Sequence, residues 1–206
     1  MTRIPFQVVA FDLDGTLADT SPDLTAALNH VLTQLSRPSL PVEEVIGLVG
    51  HGARALIRKG LAVTGGGTED MVDEAYPAFL DHYASNICTG TRSYPGVEAA
   101  LDALLARETA LAICTNKPEA LALQLVEALG WKGRFRSIIG GDTLPVRKPD
   151  PAPLHEAIAR AGGGSAVFIG DSITDADTAR AAAIPLVAVS FGFSDRPVSA
   201  LGADAV

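Results

Sequence analysis

Phe6-Gln-Val-Val-Ala-Phe-Asp-Leu-Asp-Gly-Thr-Leu17 is a short apolar run, rich in β-branched and aromatic residues, that stops at two acids and a glycine. Such a run reads as a strand buried on both faces and ending in a turn. Similar runs recur at Ala110 to Cys114, Ser137 to Ile139, Ala166 to Ile169 and Leu186 to Val189. Between them lie helical patterns. Gly96 to Arg107 repeats apolar residues at helical spacing, Glu119 to Leu129 stops at Gly130, and Ala152 to Ala161 opens on prolines and closes at Gly162. Strands alternating with helices predict an α/β fold with a doubly wound parallel sheet.

The alternation has one long interruption after the first strand. Asp23 to Leu35, Val42 to Leu48, Gly52 to Val63 and Thr68 to Ile87 carry apolar residues at i, i+3 and i+4, with breaks at Arg37-Pro38 and Gly65-Gly66-Gly67. The expected organisation is therefore a core of residues 1–17 and 91–206, with a helical cap of residues 18–90 inserted after strand 1. A cap there sits over the C-terminal edge of the sheet, where open α/β folds bind ligands. The glycine triplets at 65 and 162 read as loops, since neither has the context of a phosphate-binding motif.

Composition narrows the function. The 206 residues are 48% apolar and 19% charged, which is globular composition, with room for a core plus a smaller unit. No uncharged apolar run is long enough to span a membrane, and the start of the chain reads as neither signal peptide nor anchor. Cys88 and Cys114 form no disulfide framework and no metal-type pair, which suits a reducing compartment and a cytoplasmic protein. A net charge of −8 without a basic cluster argues against a nucleic-acid partner. An anionic substrate would need a metal, a lysine or backbone N–H groups.

The unusual polar clusters all fall at C-terminal strand ends. Asp12 and Asp14 follow strand 1, Thr115 and Asn116 follow strand 2, and Asp171 to Asp175 follow strand 4. Lys148 lies in Arg147-Lys-Pro-Asp150. The parallel order brings Asp12, Asp14, Asp171 and Asp175 to one crevice. At about 4 Å and an effective dielectric near 20, each pair repels by roughly 4 kcal/mol, so positive charge is required. Oxygen ligands without Cys or His favour a hard cation such as Mg²⁺, and Lys148 supplies a second positive charge. Taken singly, Thr115-Asn116 also reads as a capping pair, Lys148 as a solvated lysine, and Asp171 to Asp175 as a helix cap.

Asp12-Leu-Asp-Gly-Thr-Leu17, Thr115-Asn116, Lys148-Pro149 and Gly170-Asp171-x-x-x-Asp175 resemble the four signature motifs of the haloacid dehalogenase-like hydrolases, over essentially the whole chain. The insert is similar to the helical cap of the subfamily that contains phosphoglycolate phosphatases. The resemblance implies that Asp12 is a nucleophile forming an aspartyl-phosphate and that Asp14 is its general acid and base. It implies a Mg²⁺ site on Asp12, Asp171 and the backbone carbonyl of Asp14, supported by Asp175. It further implies that Thr115, Asn116 and Lys148 bind the phosphoryl group. Asp14 distinguishes phosphatases from dehalogenases, which lack it. Family members usually complete a strand and add a helix where this sequence reads Ala203-Asp-Ala-Val206.

The expected activity is thus Mg²⁺-dependent hydrolysis of a small phosphorylated metabolite, with 2-phosphoglycolate first, by a monomer or homodimer. A β-phosphoglucomutase-like mutase, a pyrophosphatase and other sugar-phosphate phosphatases share the fold. A phospho-aspartate signalling module uses similar residues but places its acceptor after a later strand and carries no cap; a catalytically retired binding protein would lack some of these residues. In the cap, Gly50-His51-Gly52-Ala53-Arg54 opens a helix, and His51 or Arg54 could reach a substrate carboxylate or remain solvated. His30, His82 and His155 read as structural or exposed, and Cys114 as core. Residues 17–20 and 89–95 are the expected hinges of a moving cap.

Overall fold

The structure is a computed structural model describing residues 5–194 and 196–206. Its elements run β1 (Val8–Phe11), β2 (Ala18–Asp19), α1 (Ser21–Gln34), α2 (Val42–Ile46), α3 (Ala53–Val63), α4 (Glu69–Ser85), β3 (Arg92–Ser93), α5 (Val97–Leu105), β4 (Ala110–Cys114), α6 (Glu119–Ala128), β5 (Ser137–Ile139), α7 (Ala152–Arg160), β6 (Ala166–Gly170), α8 (Ile173–Ala182) and β7 (Leu186–Ala188).

The large sheet has the order β5-β4-β1-β6-β7, with every pairing parallel. β1 lies at its centre, Val8 registering with Ala110 on one side and Ala166 on the other. All four of its residues are buried, which is why that run has no polar alternation. Successive side chains point to opposite faces. Val9 and Phe11 therefore join α5 and α6 through Leu101 and Leu125, while Val8 and Ala10 join α7 and α8 through Leu154 and Ala179. The sheet is doubly wound, as the alternation predicts.

The helices α1 to α4 pack on one another through Leu28, Leu32, Ile57, Leu61 and Phe79, and their apolar interior is continuous with the α5–α6 side of the sheet. A Cβ on Gly60 would stand 2.8 Å from Leu28 Cδ1, so glycine is what lets α3 lie this close to α1. The two connections to the sheet form a short antiparallel ribbon, β2 with β3, in which Ala18 faces Ser93 and Asp19 faces Arg92. No strand was expected there. Asp23, buried near the start of α1, accepts bonds from Gly90 N (2.8 Å), Thr91 N (2.8 Å) and Thr91 Oγ1 (2.7 Å), tying one connection to the other.

At the other edge of the sheet, Ala205 bridges Val187 in parallel. Among the described residues, no helix is long and apolar enough to cross a membrane.

Candidate active site

Asp12 continues the central ladder by donating its backbone N–H to Ile169 O at 2.8 Å. Its side chain emerges at the C-terminal edge of the sheet. Oδ1 accepts from Leu13 N at 2.7 Å and lies 3.0 Å from Lys148 Nζ; Oδ2 has no hydrogen-bond partner among the described residues. Burial, against which Lys148 acts, pushes the Asp12 carboxyl up to about 7, with Asp175 and Asp14 adding repulsion.

The turn after Asp12 is shaped around Asp171. Gly15 adopts a positive φ of 84°, and a Cβ there would stand 2.6 Å from Asp171 Oδ2, so both conformation and space require glycine. Thr16 Oγ1 donates to Asp171 Oδ1 at 2.6 Å, and Phe193 N donates to its Oδ2 at 2.7 Å. Burial, followed by the charges of Asp175 and Asp12, pushes Asp171 up to about 8.

Asp175 does two jobs that the sequence offers as alternatives. It completes a capping box at the start of α8, where Asp175 N donates to Ser172 Oγ and the Asp175 carboxylate accepts from Ser172 N. Its other oxygen accepts from Lys148 Nζ at 2.6 Å. Lys148, buried between Asp12 and Asp175, has its ammonium held charged by both acids against the cost of burial.

Asp12, Asp171 and Asp175 each offer a carboxylate oxygen within 4.8 Å of the others. Two carboxyls raised by burial and mutual repulsion, with one lysine among three acids, leave a site short of positive charge. An all-oxygen donor set of this kind fits a hard divalent cation such as Mg²⁺.

Asp14 departs from the expected meeting of four carboxylates. Its side chain turns to Lys117, whose Nζ lies 2.8 Å from Asp14 Oδ1. Lys117 was not anticipated, although it directly follows Thr115-Asn116 at a C-terminal strand end, and the rule that found its neighbours applies to it. Lys117 also donates to Tyr83 Oη on α4 at 2.7 Å. Asp14 and Tyr83 raise its affinity for a proton beyond what burial removes. The backbone N–H of Lys117 donates to Thr115 Oγ1 at 3.2 Å. Asn116 Nδ2 donates to Lys148 O (3.1 Å) and to Gly50 O (3.2 Å), joining the cap loop to the lysine loop.

A family model described as haloacid dehalogenase-like hydrolase matches residues 9–189, a span that includes every one of these strand-end groups. The chain belongs to the haloacid dehalogenase-like hydrolase family. It is similar to the phosphoglycolate phosphatase of Caulobacter vibrioides, 43% identical over 96% of this chain and 85% of that one. The phosphoglycolate phosphatase of Mesorhizobium japonicum is 46% identical over 93% and 86%. Among solved structures, that of a predicted phosphoglycolate phosphatase from Haemophilus somnus superposes with a TM-score of 0.90 at 31% identity, covering 97% of this chain and 92% of that one.

In this hydrolase Asp12, Asp14 and Thr115 line a small cavity, about 40 Å³, roofed by the cap. Its apolar wall includes Leu24, Val49, Leu56, Phe79 and Leu121. The cap segment reaches it differently from expectation. Gly50, Gly52 and Ala53 line the cavity, whereas Arg54 forms an ion pair with Asp73 and lies 4.7 Å from the Tyr76 ring centroid. Arg54 is therefore spent on its own cap surface. His51 is exposed, with Nδ1 3.3 Å from Thr174 Oγ1 on α8, and it too is absent from the cavity lining. Among the described residues, the cation lining the cavity is Lys117, on the core loop after β4.

His30 and His82 stack at 4.5 Å between ring centroids, and His155 reaches Ala182 O at 3.0 Å, as packing residues do. Cys114 is buried in β4.

Proposed function

We propose that this chain is a phosphomonoesterase that hydrolyses a small phosphorylated acid, 2-phosphoglycolate first, through a phosphorylated Asp12. The observation that carries the reading is the pairing of Asp12 with Lys148 at 3.0 Å beside Asp171, with Asp14 held apart on Lys117. The two carboxylates after β1 thus have separate partners, as separate roles require. The names of the similar Caulobacter and Mesorhizobium proteins support the substrate, and so does the cavity. The cavity is small, about 40 Å³, which favours a short metabolite.

In the first step the free Asp12 Oδ2 attacks phosphorus, the ester P–O bond breaks, and Asp14 gives a proton to the departing alkoxide. In the second, water attacks the same phosphorus while Asp14 takes its proton. The bond to Asp12 then breaks and phosphate leaves. Lys148 neutralises Asp12 and the phosphoryl oxygens, and Thr115 Oγ1 and the Asn116 backbone N–H bind those oxygens. Asp12, Asp171 and the Asp14 backbone carbonyl would hold Mg²⁺, with Asp175 supporting from behind Lys148. When bound, the ion would offset the negative charge of the phosphoryl oxygens. The cap would exclude water during transfer, turning about the β2–β3 ribbon, and residues 1–17 with 91–206 would form the unit it closes upon. A cytoplasmic setting fits a small metabolite substrate and two unbridged cysteines.

The test is phosphate release from a panel of small phosphomonoesters with Mg²⁺ or chelator, for wild type and Asp12→Asn. Wild type is expected to favour 2-phosphoglycolate, with both controls reduced on the order of 10⁴-fold. Isomerisation exceeding phosphate release would replace the reading with a mutase. A persistent phospho-Asp12 without turnover would replace it with a signalling module.

A further inference from the structure

Lys117 is a buried ammonium that none of the roles above uses for substrate. Its side chain is 3% exposed, yet it lines the cavity together with Tyr83. An ammonium has three N–H donors. Two are engaged, to Asp14 Oδ1 and Tyr83 Oη, and the third has no acceptor among the described residues. The Tyr83 hydroxyl accepts from Lys117, and its own proton likewise has no acceptor among the described residues. Both unspent donors belong to side chains facing a space whose other wall is apolar. In that space the charged lining groups are Asp12, Asp14 and Lys117, so a second anionic group on the substrate has Lys117 as its counter-charge.

From this arrangement we propose that Lys117 and Tyr83 form the specificity contact of the site, binding a carboxylate on the end of the substrate away from the phosphoryl group. The proposal rests on the phosphomonoesterase reading above and adds to it the residues that choose the substrate. Lys117 belongs to the core loop that carries Thr115, and Tyr83 belongs to cap helix α4. A carboxylate held by both would bridge core and cap, so correct substrate and closed cap would favour each other. Charged donors in a dry site discriminate strongly, because a substrate without the matching acceptor leaves them desolvated and unpaired. Arg54, already paired to Asp73, does not compete for this role.

The experiment compares kcat/KM for 2-phosphoglycolate and for 2-hydroxyethyl phosphate, which has a neutral hydroxymethyl group in place of the carboxylate, in wild type, Lys117→Met and Tyr83→Phe. The quantity read is the ratio between the two substrates. Wild type is expected to prefer the carboxylated ester by on the order of 10²-fold or more. Lys117→Met is expected to bring the ratio close to one. Tyr83→Phe, which keeps the Lys117–Asp14 pair, is expected to lower it about tenfold, chiefly through KM. If Lys117→Met fails to fold on thermal melting, Tyr83→Phe decides by the same ratio.

Equal loss on both esters, leaving the ratio at its wild-type value, would mean that Lys117 only positions Asp14 and would overturn the proposal. So would a wild type that hydrolyses both esters equally well, and in that case the phosphatase reading survives. A wild type that hydrolyses neither of these nor any other phosphomonoester sinks both.

Discussion

At Lys148, two acids and one cation are packed together with little exposure to water. Asp12 and Asp175 lie 3.0 and 2.6 Å from its ammonium, and the side chain is almost wholly buried. Removing the cation leaves buried carboxylates without their partner, a change that typically costs about 3–5 kcal/mol. Lys148→Met is therefore expected to lower unfolding free energy by that order in denaturant titrations with chelator present, and to abolish phosphate release. A variant with wild-type stability would show that water reaches the acids. Cys114 makes a second prediction. Burial pushes its thiol up to about 12, so it will not react with a thiol reagent in the native protein; rapid labelling at that position would contradict the packing. Asp12, Lys148 and Asp171 were legible because their motifs occur together in one order along the chain, although Lys148 taken singly reads as a solvated lysine. Lys117 was not, because a lysine in a loop reads as solvated, and what makes it otherwise is Tyr83, which approaches it from 34 positions away in sequence.

Among the elements, the strands and the main helices followed from apolar runs and periodicity, since burial on one or two faces dictates those patterns. Their ends did not follow: Phe6 lies outside β1, and α1 begins at Ser21 rather than Asp23. The β2–β3 ribbon was illegible, since two residues per strand give no period and their pairing joins positions far apart in the chain. Asp23 gives this ribbon its measurable weight. Its buried carboxylate satisfies three donors on residues 90 and 91, and bonds to a charged acceptor contribute roughly 1.5–3 kcal/mol each, not fully additively. Asp23→Ala is expected to destabilise the protein by about 2–4 kcal/mol and to speed amide exchange at residues 89–95 and 17–20 ahead of the sheet. Exchange that rises uniformly, or not at all in those segments, would mean the cap is held by its apolar contacts alone. A test of packing is Gly60→Val, which drives a side chain into Leu28 and is expected to cost about 1–3 kcal/mol in thermal or denaturant unfolding.

For the molecule as a whole, the site sets the pH dependence of stability. The net charge is −8, and the acids that matter most are the buried ones. Asp12 and Asp171 are held at about 7 and about 8, against an ordinary 3.8, so the metal-free fold favours their neutral forms. A carboxyl raised in the folded state binds its proton more tightly there than in the unfolded chain. Its stabilising contribution is complete below the unfolded value, near pH 4, and is lost as pH rises through 7 and 8. In chelator, the melting temperature of the wild type is therefore expected to fall between pH 5 and pH 9 relative to that of Asp171→Asn, which cannot ionise at that position. A divalent cation held by the ionised pair and not by the unfolded chain would stabilise the fold by mass action, and by more as pH rises over the same window. Melts at four or five pH values, with chelator and with excess Mg²⁺, separate the two effects. If the chelated wild type and Asp171→Asn trace parallel curves, the Asp171 carboxyl is not coupled to folding. If Mg²⁺ raises the melting temperature by the same amount at pH 5 and pH 9, the ion is binding somewhere other than these acids.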